Sequence, residues 1–133
     1  MKPPITEPDV WRYILPDGWE ILAGKTDADN DRLSLRAARP NDYWFHVRGL
    51  PGSHVILCSA TGEAPGNHLI KTAAAVAAWH SNARTAGTVS VSCTQVKNVS
   101  KPRGTKPGTV TIKKEKTIRI KPALPSVARD TPA

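Results

Sequence analysis

The stretch DYWFHVRGLPGSHVILC, residues 42–58, decides the fold, because apolar and polar side chains alternate before a strong turn signal. Strict alternation over residues 42–48 is typical of a half-buried β-strand. Glycine and proline within residues 49–52 predict a four-residue turn, since glycine accepts positive φ and proline restricts φ. Residues 53–58 are rich in branched apolar side chains and predict the returning strand. The sequence therefore predicts an antiparallel β-hairpin near the middle of the chain.

The two faces of the first strand differ in polarity, so only one of them is expected to face the core. Tyr43, Phe45 and Val47 share the apolar face, because side chains alternate along a strand. A four-residue turn pairs Val47 with His54, which places His54 on the apolar face and His46 on the opposite one. The full set of expected core residues is Tyr43, Phe45, Val47, Ile56, Leu69, Ala73, Val76, Val89 and Val91.

The amino-terminal sequence adds a second hairpin and a short helix. Residues 11–15 and 19–24 are apolar runs separated by Pro-Asp-Gly at residues 16–18, which is a turn signal. The polar side chains of residues 29–31 can cap a short helix by accepting hydrogen bonds from its free backbone N–H groups. Pro40 then ends this helix.

The carboxyl-terminal sequence predicts one long helix followed by strands. Residues 67–84 carry apolar side chains at the 4-3-4-3 spacing of a helix that buries one face. Residues 88–94, 109–113 and 117–121 predict three strands. This order predicts an α+β domain whose mixed or mostly antiparallel sheet carries the long helix and the short helix on one face.

Length and composition fit one folded domain of 133 residues with 39% apolar side chains. No apolar run approaches the ~18 residues of a membrane span, and the amino terminus lacks a signal peptide, so we expect a cytoplasmic protein without a membrane partner. Residues 1–10 are expected to form a disordered lead, residues 11–122 the domain and residues 123–133 a flexible tail. Cys58 and Cys93 can pair, but free thiols fit a cytosolic chain better.

The net charge of +8 is concentrated in the carboxyl-terminal third. Residues 84–121 contain ten Lys and Arg against one acid, a net charge of +9, and the rest of the chain carries −1. Such a field suits a polyanion, because each cation placed at a phosphate releases counterions. We therefore expect this segment to form one contiguous basic surface, although a solvated surface without a partner gives the same composition.

The segment TQVKNVSKPRGTKPG, residues 94–108, is the most basic loop of the chain. Its proline and glycine residues restrict the loop and allow close approach of its backbone. An extended loop of this kind can present cations and backbone N–H groups to a nucleic-acid backbone. The expected phosphate-binding side chains are Lys97, Lys101, Arg103 and Lys106.

The polar face of the central strand allows three interpretations. An RNA-binding protein could stack a base on Trp44 and hold a phosphate with Arg48, with His46 beside them. A small enzyme acting on RNA could use Asp42 to orient His46 as a general base. Alternatively, these side chains cover a second layer of core and have a structural role.

Other sites of chemistry are not indicated by the sequence. The predicted register separates His46 from His54, and no pair of cysteines or histidines has the spacing of a zinc site. No phosphate loop or nucleophile elbow occurs. We therefore expect no metal, no cofactor, no small-molecule substrate and no catalytic residue.

Three ordered blocks resemble the NFACT-R domain family, also known as domain of unknown function 814. They are DYWFHVRGLPGSHVI at residues 42–56, AAAVAAWHSNAR at residues 73–84 and the basic loop at residues 94–108. The resemblance assigns family motif positions to Asp42, Trp44, His46, Gly52, Ser53, His54, Lys97, Lys101, Gly104, Lys106, Pro107 and Gly108.

The resemblance implies an RNA-binding module that contacts rRNA of the large ribosomal subunit or tRNA. Proteins of this family act in ribosome-associated quality control, where they recruit tRNA to extend a stalled chain. The other domains of these proteins are not recognised in 133 residues, so we expect a free-standing or excised NFACT-R domain. Its alternative function is to dock with an NFACT-N-like protein.

Overall fold

The computed structural model describes residues 7–59 and 61–126. Helix α1 spans Asp27–Arg32 and continues as a π-helical turn, Leu33–Ala37, and helix α2 spans Asn67–Trp79. The strands are β1 Val10–Ile14, β2 Trp19–Gly24, β3 Tyr43–Val47, β4 Val55–Ser59, β5 Val89–Gln95, β6 Val99–Ser100, β7 Thr111–Ile112 and β8 Lys116–Ile120.

Six strands form one antiparallel sheet in the order β1-β2-β4-β3-β5-β8. The predicted α+β class and antiparallel sheet are confirmed, and so is the amino-terminal hairpin of β1 and β2. Gly18 adopts φ 80° between these strands, which explains why the turn carries glycine there. Strands β6 and β7 form a separate small hairpin.

The sheet is covered on both faces, which corrects the prediction that both helices pack on one face. Buried alanines of α2 pack with Phe45, Val55 and Leu57 in what we call the α2 core. On the opposite face, Leu33 from the π-helical turn packs with Trp44, Ile56 and Val96 in what we call the second core. For Trp44 this agrees with the interpretation that the polar face of β3 covers a second layer of core.

Helix α2 ends at Trp79 instead of Arg84, so the prediction of one long helix over residues 67–84 is wrong. His80 leaves the helical region with φ −88° and ψ 42°. The chain then turns so that Ser81 forms a bridge with Gly52. Ala83 is nevertheless buried, although it lies after the end of the helix. This explains why the apolar pattern of the sequence continues beyond Trp79.

The central hairpin has a register one residue away from the predicted one. Phe45 pairs with Val55, which places His54 opposite His46 on the neighbouring strand. Both histidines therefore lie on the face of the second core, where their rings meet. The change also moves Ile56 from the α2 core to the second core. Ser53, which the predicted register pairs with Arg48, instead donates its backbone N–H to His80, so the return strand is held by a distant segment and the turn is longer than four residues.

The last predicted strands lie in different sheets. Residues 109–113 shorten to β7, which pairs with β6, whereas residues 117–121 correspond to β8 at the edge of the main sheet. The predicted lead and tail fall partly on residues 1–6 and 127–133, which lie outside the described residues. Within the described ranges, no helix is long and apolar enough to cross a membrane.

Truncation of Phe45 tests the α2 core. Phe45 is fully buried, so Phe45→Ala should lower the free energy of unfolding by about 3–5 kcal/mol through lost transfer energy and a cavity. Leu50→Ala is the control, because 44% of Leu50 is exposed and surface changes usually stay within about 0.5 kcal/mol. Urea unfolding of the two variants measures both values, and equal losses would contradict this assignment of the core.

Candidate nucleic-acid interface

The Gly52-Ser53 pair ties the central turn to the end of α2. The Ser53 N–H donates to the His80 carbonyl at 2.9 Å, and the Ser53 hydroxyl donates to the Gly24 carbonyl at 2.6 Å. A Cβ on Gly52 would lie 2.8 Å from the Cβ of Ser81. Position 52 therefore needs glycine because two chain segments approach there without room for a side chain.

Asn30 is a buried residue that fixes the start of β4, and sequence reasoning assigned it only a helix-capping role. Its side-chain oxygen accepts a 3.0 Å hydrogen bond from the His54 N–H. A Cβ on Gly24 would lie 2.1 Å from that oxygen, so glycine is required there as well. Thr26 caps α1 instead of residues 29–31, since its hydroxyl accepts from the Asp29 N–H at 3.1 Å.

A chain of buried hydrogen bonds connects β3, the π-helical turn, β4 and the basic loop. The Trp44 indole N–H donates to the Ser34 hydroxyl oxygen at 3.0 Å, and that hydroxyl lies 2.8 Å from Nδ1 of His54. Nε2 of His54 lies 3.1 Å from the carbonyl of Gly108. Because a carbonyl only accepts, Nε2 carries the proton and Nδ1 accepts from Ser34.

His54 is neutral within this network. Burial is the main reason that the pKa of His54 falls to about 4, and the neighbouring His46 ring lowers it further. The two rings meet edge to face with their centroids 5.5 Å apart. Burial also lowers the pKa of His46, against the opposing effect of a hydrogen bond with the Gly52 backbone.

The basic loop is anchored by the carboxylate of Asp31. One oxygen of Asp31 accepts from the Gly108 N–H at 3.0 Å, and the other lies 3.1 Å from Nζ of Lys101. Lys101 also donates to the carbonyls of Lys106 and Thr109, at 2.6 and 3.0 Å. The ammonium of Lys101 thus closes the loop internally, which gives this residue a structural role; its predicted phosphate contact stays a prediction.

Three other cations of the loop are exposed. Lys97, Arg103 and Lys106 all face solvent, and Nζ of Lys97 lies 3.4 Å from the side-chain oxygen of Asn41. Gly104 adopts φ 80° and Gly108 adopts φ 87°, which shape the loop between Pro102 and Thr109. The loop therefore combines a fixed backbone with cations that are accessible to a ligand.

The side chains of the predicted polar face of β3 have different environments in the structure. Trp44 is only 3% exposed, so its ring is unavailable as a platform for a base. The Asp42 carboxylate accepts from the Arg39 N–H at 2.8 Å, and burial raises its pKa while Arg39 opposes that rise. His46 remains partly exposed. The structure therefore separates the Asp42 carboxylate from the histidine that it was expected to orient.

Arg48 is exposed and forms an ion pair at one end of the sheet. Its Nε lies 3.4 Å from a Glu115 oxygen, and its guanidinium donates to the Thr117 hydroxyl at 3.2 Å. Glu115 also accepts a hydrogen bond from Ser92. Arg48 is thus partly neutralised by the single acid in the basic segment.

The basic segment does not form one contiguous surface, which corrects that prediction. Lys116 pairs with Cys93 and therefore lies on the face of the α2 core. Arg119 lies on the opposite face, where its guanidinium donates to Ser90 at 3.1 Å. Alternation along the edge strand β8 distributes the charge over both faces of the sheet.

Metal ligands and reactive thiols are not grouped in the described part of the chain. Within residues 7–59 and 61–126, no three His, Cys, Asp or Glu side chains form a cluster that could hold a metal ion. Cys58 and Cys93 are free and lie in different cores, on opposite faces of the sheet. Burial raises the pKa of both thiols to about 11, which disfavours the reactive thiolate.

Comparison with known proteins identifies one family. Residues 10–114 match the model of the NFACT protein RNA-binding domain. The chain is 38% identical over 112 residues to the Rqc2 homolog RqcH of Streptococcus suis, covering 84% of this chain and 20% of that protein. It is 36% identical over 117 residues to the Rqc2 homolog RqcH of Bacillus subtilis, covering 88% of this chain and 20% of that protein. The chain thus spans about a fifth of these curated relatives.

A solved structure shares the fold. It is the C-terminal part of the fibronectin/fibrinogen-binding protein from Streptococcus suis, with a TM-score of 0.79 and 36% sequence identity. The match covers 90% of this chain and 47% of that one.

The neutral state of His54 predicts a pH-dependent stability. The unfolded chain titrates this histidine near pH 6.5 and the folded chain near pH 4, so only the unfolded state gains the proton between these values. The free energy of unfolding should therefore fall by about 3 kcal/mol as the pH decreases through this window. Urea unfolding at a series of pH values measures it. His54→Gln should flatten the profile and the exposed His68→Gln should not, so identical profiles for the two variants would contradict the assignment.

The Lys101 anchor predicts a local change in the loop. Lys101→Met keeps the aliphatic stem but removes the ammonium that holds Asp31 and two carbonyls. Amide hydrogen exchange of residues 102–109 should rise on the order of tenfold, because a hydrogen bond to a charged group contributes about 1.5 kcal/mol or more. Lys97→Met is the matched control with an exposed lysine, and equal protection in both variants would contradict the anchor.

Proposed function

The chain belongs to the family of NFACT protein RNA-binding domains, and on that premise we propose that it binds rRNA or tRNA in ribosome-associated quality control. The RqcH relatives are much longer than the matched region, so this chain corresponds to one module of such a protein. The proposed module acts in the cytoplasm and supplies affinity for RNA. An NFACT-N-like protein is its proposed protein partner.

The observation that carries this proposal is the fixed basic loop. Asp31 and His54 hold the loop through the N–H and the carbonyl of Gly108. Arg103 and Lys106 remain exposed on it. Because the loop is already ordered, less conformational entropy is lost when RNA binds. Exposed cations on a fixed backbone favour contacts to phosphates over reading of base identity.

A binding role is also favoured over RNA hydrolysis. The carboxylate of Asp42 is held by Arg39, whereas the ring of His46 contacts the rings of Trp44 and His54. A general base needs an orienting partner and a nucleophile within hydrogen-bonding reach. We therefore propose no catalytic residue in this domain.

A salt titration tests the proposed interface. The double variant Arg103→Ala/Lys106→Ala should weaken binding to two unrelated RNAs to the same extent, because phosphates are common to both. The slope of log affinity against log salt should become shallower by about one unit or more, since each phosphate contact contributes roughly 0.7 on single strands.

The matched control removes two exposed lysines near the far side of α2. Lys71→Ala/Lys121→Ala changes the charge by the same amount, and both residues line a separate cleft between α2 and the end of β8. This variant should retain most of the affinity and of the slope. If only the control variant lost affinity for RNA, the RNA would bind on the α2 side and the loop would be refuted as its binding site.

A further inference from the structure

Two adjoining clefts form a continuous groove beside the basic loop. One cleft, of about 660 Å³, lies between His46, Lys106 and the first turn of α1. The other, of about 340 Å³, reaches Lys25 and Arg84. Asp27 and the turn at Gly52 line both clefts, so the two clefts meet at these residues. The volume of each cleft lies in the range of small-ligand sites.

The floor of the groove is rigid at the point where the clefts meet. Gly52 carries no side chain there, and its neighbour Ser53 is held to the carbonyls of His80 and Gly24. A substituent on Gly52 would meet Ser81 at 2.8 Å, so this segment cannot be bulkier without moving. The groove is thus a formed feature of the fold and needs no rearrangement to accept a ligand.

Cations occupy both ends of the groove. Lys106 lines one end. At the other end, Nζ of Lys25 lies 4.4 Å from the ring centroid of Trp11, and the guanidinium carbon of Arg84 lies 4.7 Å from that of Trp79. These ring contacts hold the two cations in place. The ends of the groove are therefore suited to phosphate groups.

Hydrogen-bond acceptors lie between these cations. Asp27 has an exposed side chain and lines both clefts, and a Cβ on Gly108 would lie 3.1 Å from its carboxylate. His46 lines the same cleft, and burial lowers its pKa, which favours the neutral ring, whose unprotonated nitrogen is a hydrogen-bond acceptor. A carboxylate repels phosphate but accepts from a hydroxyl. The middle of the groove is therefore suited to a neutral donor placed between two phosphates.

The ribose 2′-hydroxyl is that donor in an RNA strand, and DNA lacks it. We propose that a single-stranded segment of RNA lies in this groove, with its phosphates at Lys106 and at Lys25/Arg84 and a ribose 2′-hydroxyl donating to Asp27 or His46. The inference rests on the RNA binding proposed above and adds selection of ribose over deoxyribose. A concave groove favours a single strand, because splayed nucleotides enter clefts that a duplex cannot.

The test compares three labelled 12-nucleotide strands of one sequence: RNA, DNA and fully 2′-O-methylated RNA. Wild-type protein should bind RNA about tenfold or more tightly than either of the others, which corresponds to one hydrogen bond to a charged acceptor. Asp27→Asn and His46→Gln should each reduce that preference, and the double variant should bring it within about threefold. The matched controls Glu63→Gln and His68→Gln change exposed residues outside the groove and should keep it.

A second arm tests the end of the groove that the basic loop does not reach. Lys25→Ala/Arg84→Ala should weaken RNA binding by about tenfold, whereas Lys97→Ala/Arg103→Ala, which changes two exposed loop residues outside the groove lining, reports binding through the loop alone. Equal affinity of the wild-type protein for RNA and DNA would refute the proposal that RNA lies in the groove. Unchanged affinity for RNA in Lys25→Ala/Arg84→Ala would refute it too. Neither result would contradict RNA binding through the basic loop. Absence of RNA binding by the wild-type protein in low salt would overturn both proposals.

Discussion

The buried imidazole of His54 is the contact on which the arrangement of the site depends. One ring nitrogen bonds to Ser34 on the π-helical turn and the other to the Gly108 carbonyl at the end of the basic loop. The backbone N–H of His54 donates a hydrogen bond to the side-chain oxygen of Asn30 on α1. A single side chain thus joins the sheet, the helix and the loop. Its neutrality follows from burial, and the neutral ring supplies the one donor and one acceptor that its neighbours require.

The covering of both sheet faces explains why this loop has a defined shape. On one face the small alanines of α2 pack on the sheet in the larger of the two cores. On the other face Trp44 and Ile56 are covered by Leu33 and by Val96, which lies near the start of the basic loop. The loop therefore starts from a packed residue and ends at an anchored glycine. Its exposed cations project from this fixed frame.

Several of the motif residues have structural roles in this site. Gly52 and Ser53 bring the central turn against the end of α2, and His54 holds the loop. The ammonium of Lys101 forms an ion pair with Asp31 and donates hydrogen bonds to two backbone carbonyls. Accessible positive charge on the loop then comes from less constrained side chains, such as Arg103. Motif positions such as Gly52, Ser53, His54 and Lys101 can thus be explained by their contacts within the fold.

The sequence by itself determined the alternation of β3, the amino-terminal hairpin, the antiparallel α+β class and the resemblance to the family. These are local properties, set by side-chain periodicity and by turn residues such as Gly18. It could not determine the register of the central hairpin, because Gly52 pairs with Ser81 from a distant segment. Nor could it distinguish Lys101 from Arg103, since both are cations in the same loop. Only the tertiary structure decided that Asp31, seventy residues away from Lys101, neutralises one and leaves the other exposed, because contacts between distant segments have no period in the sequence.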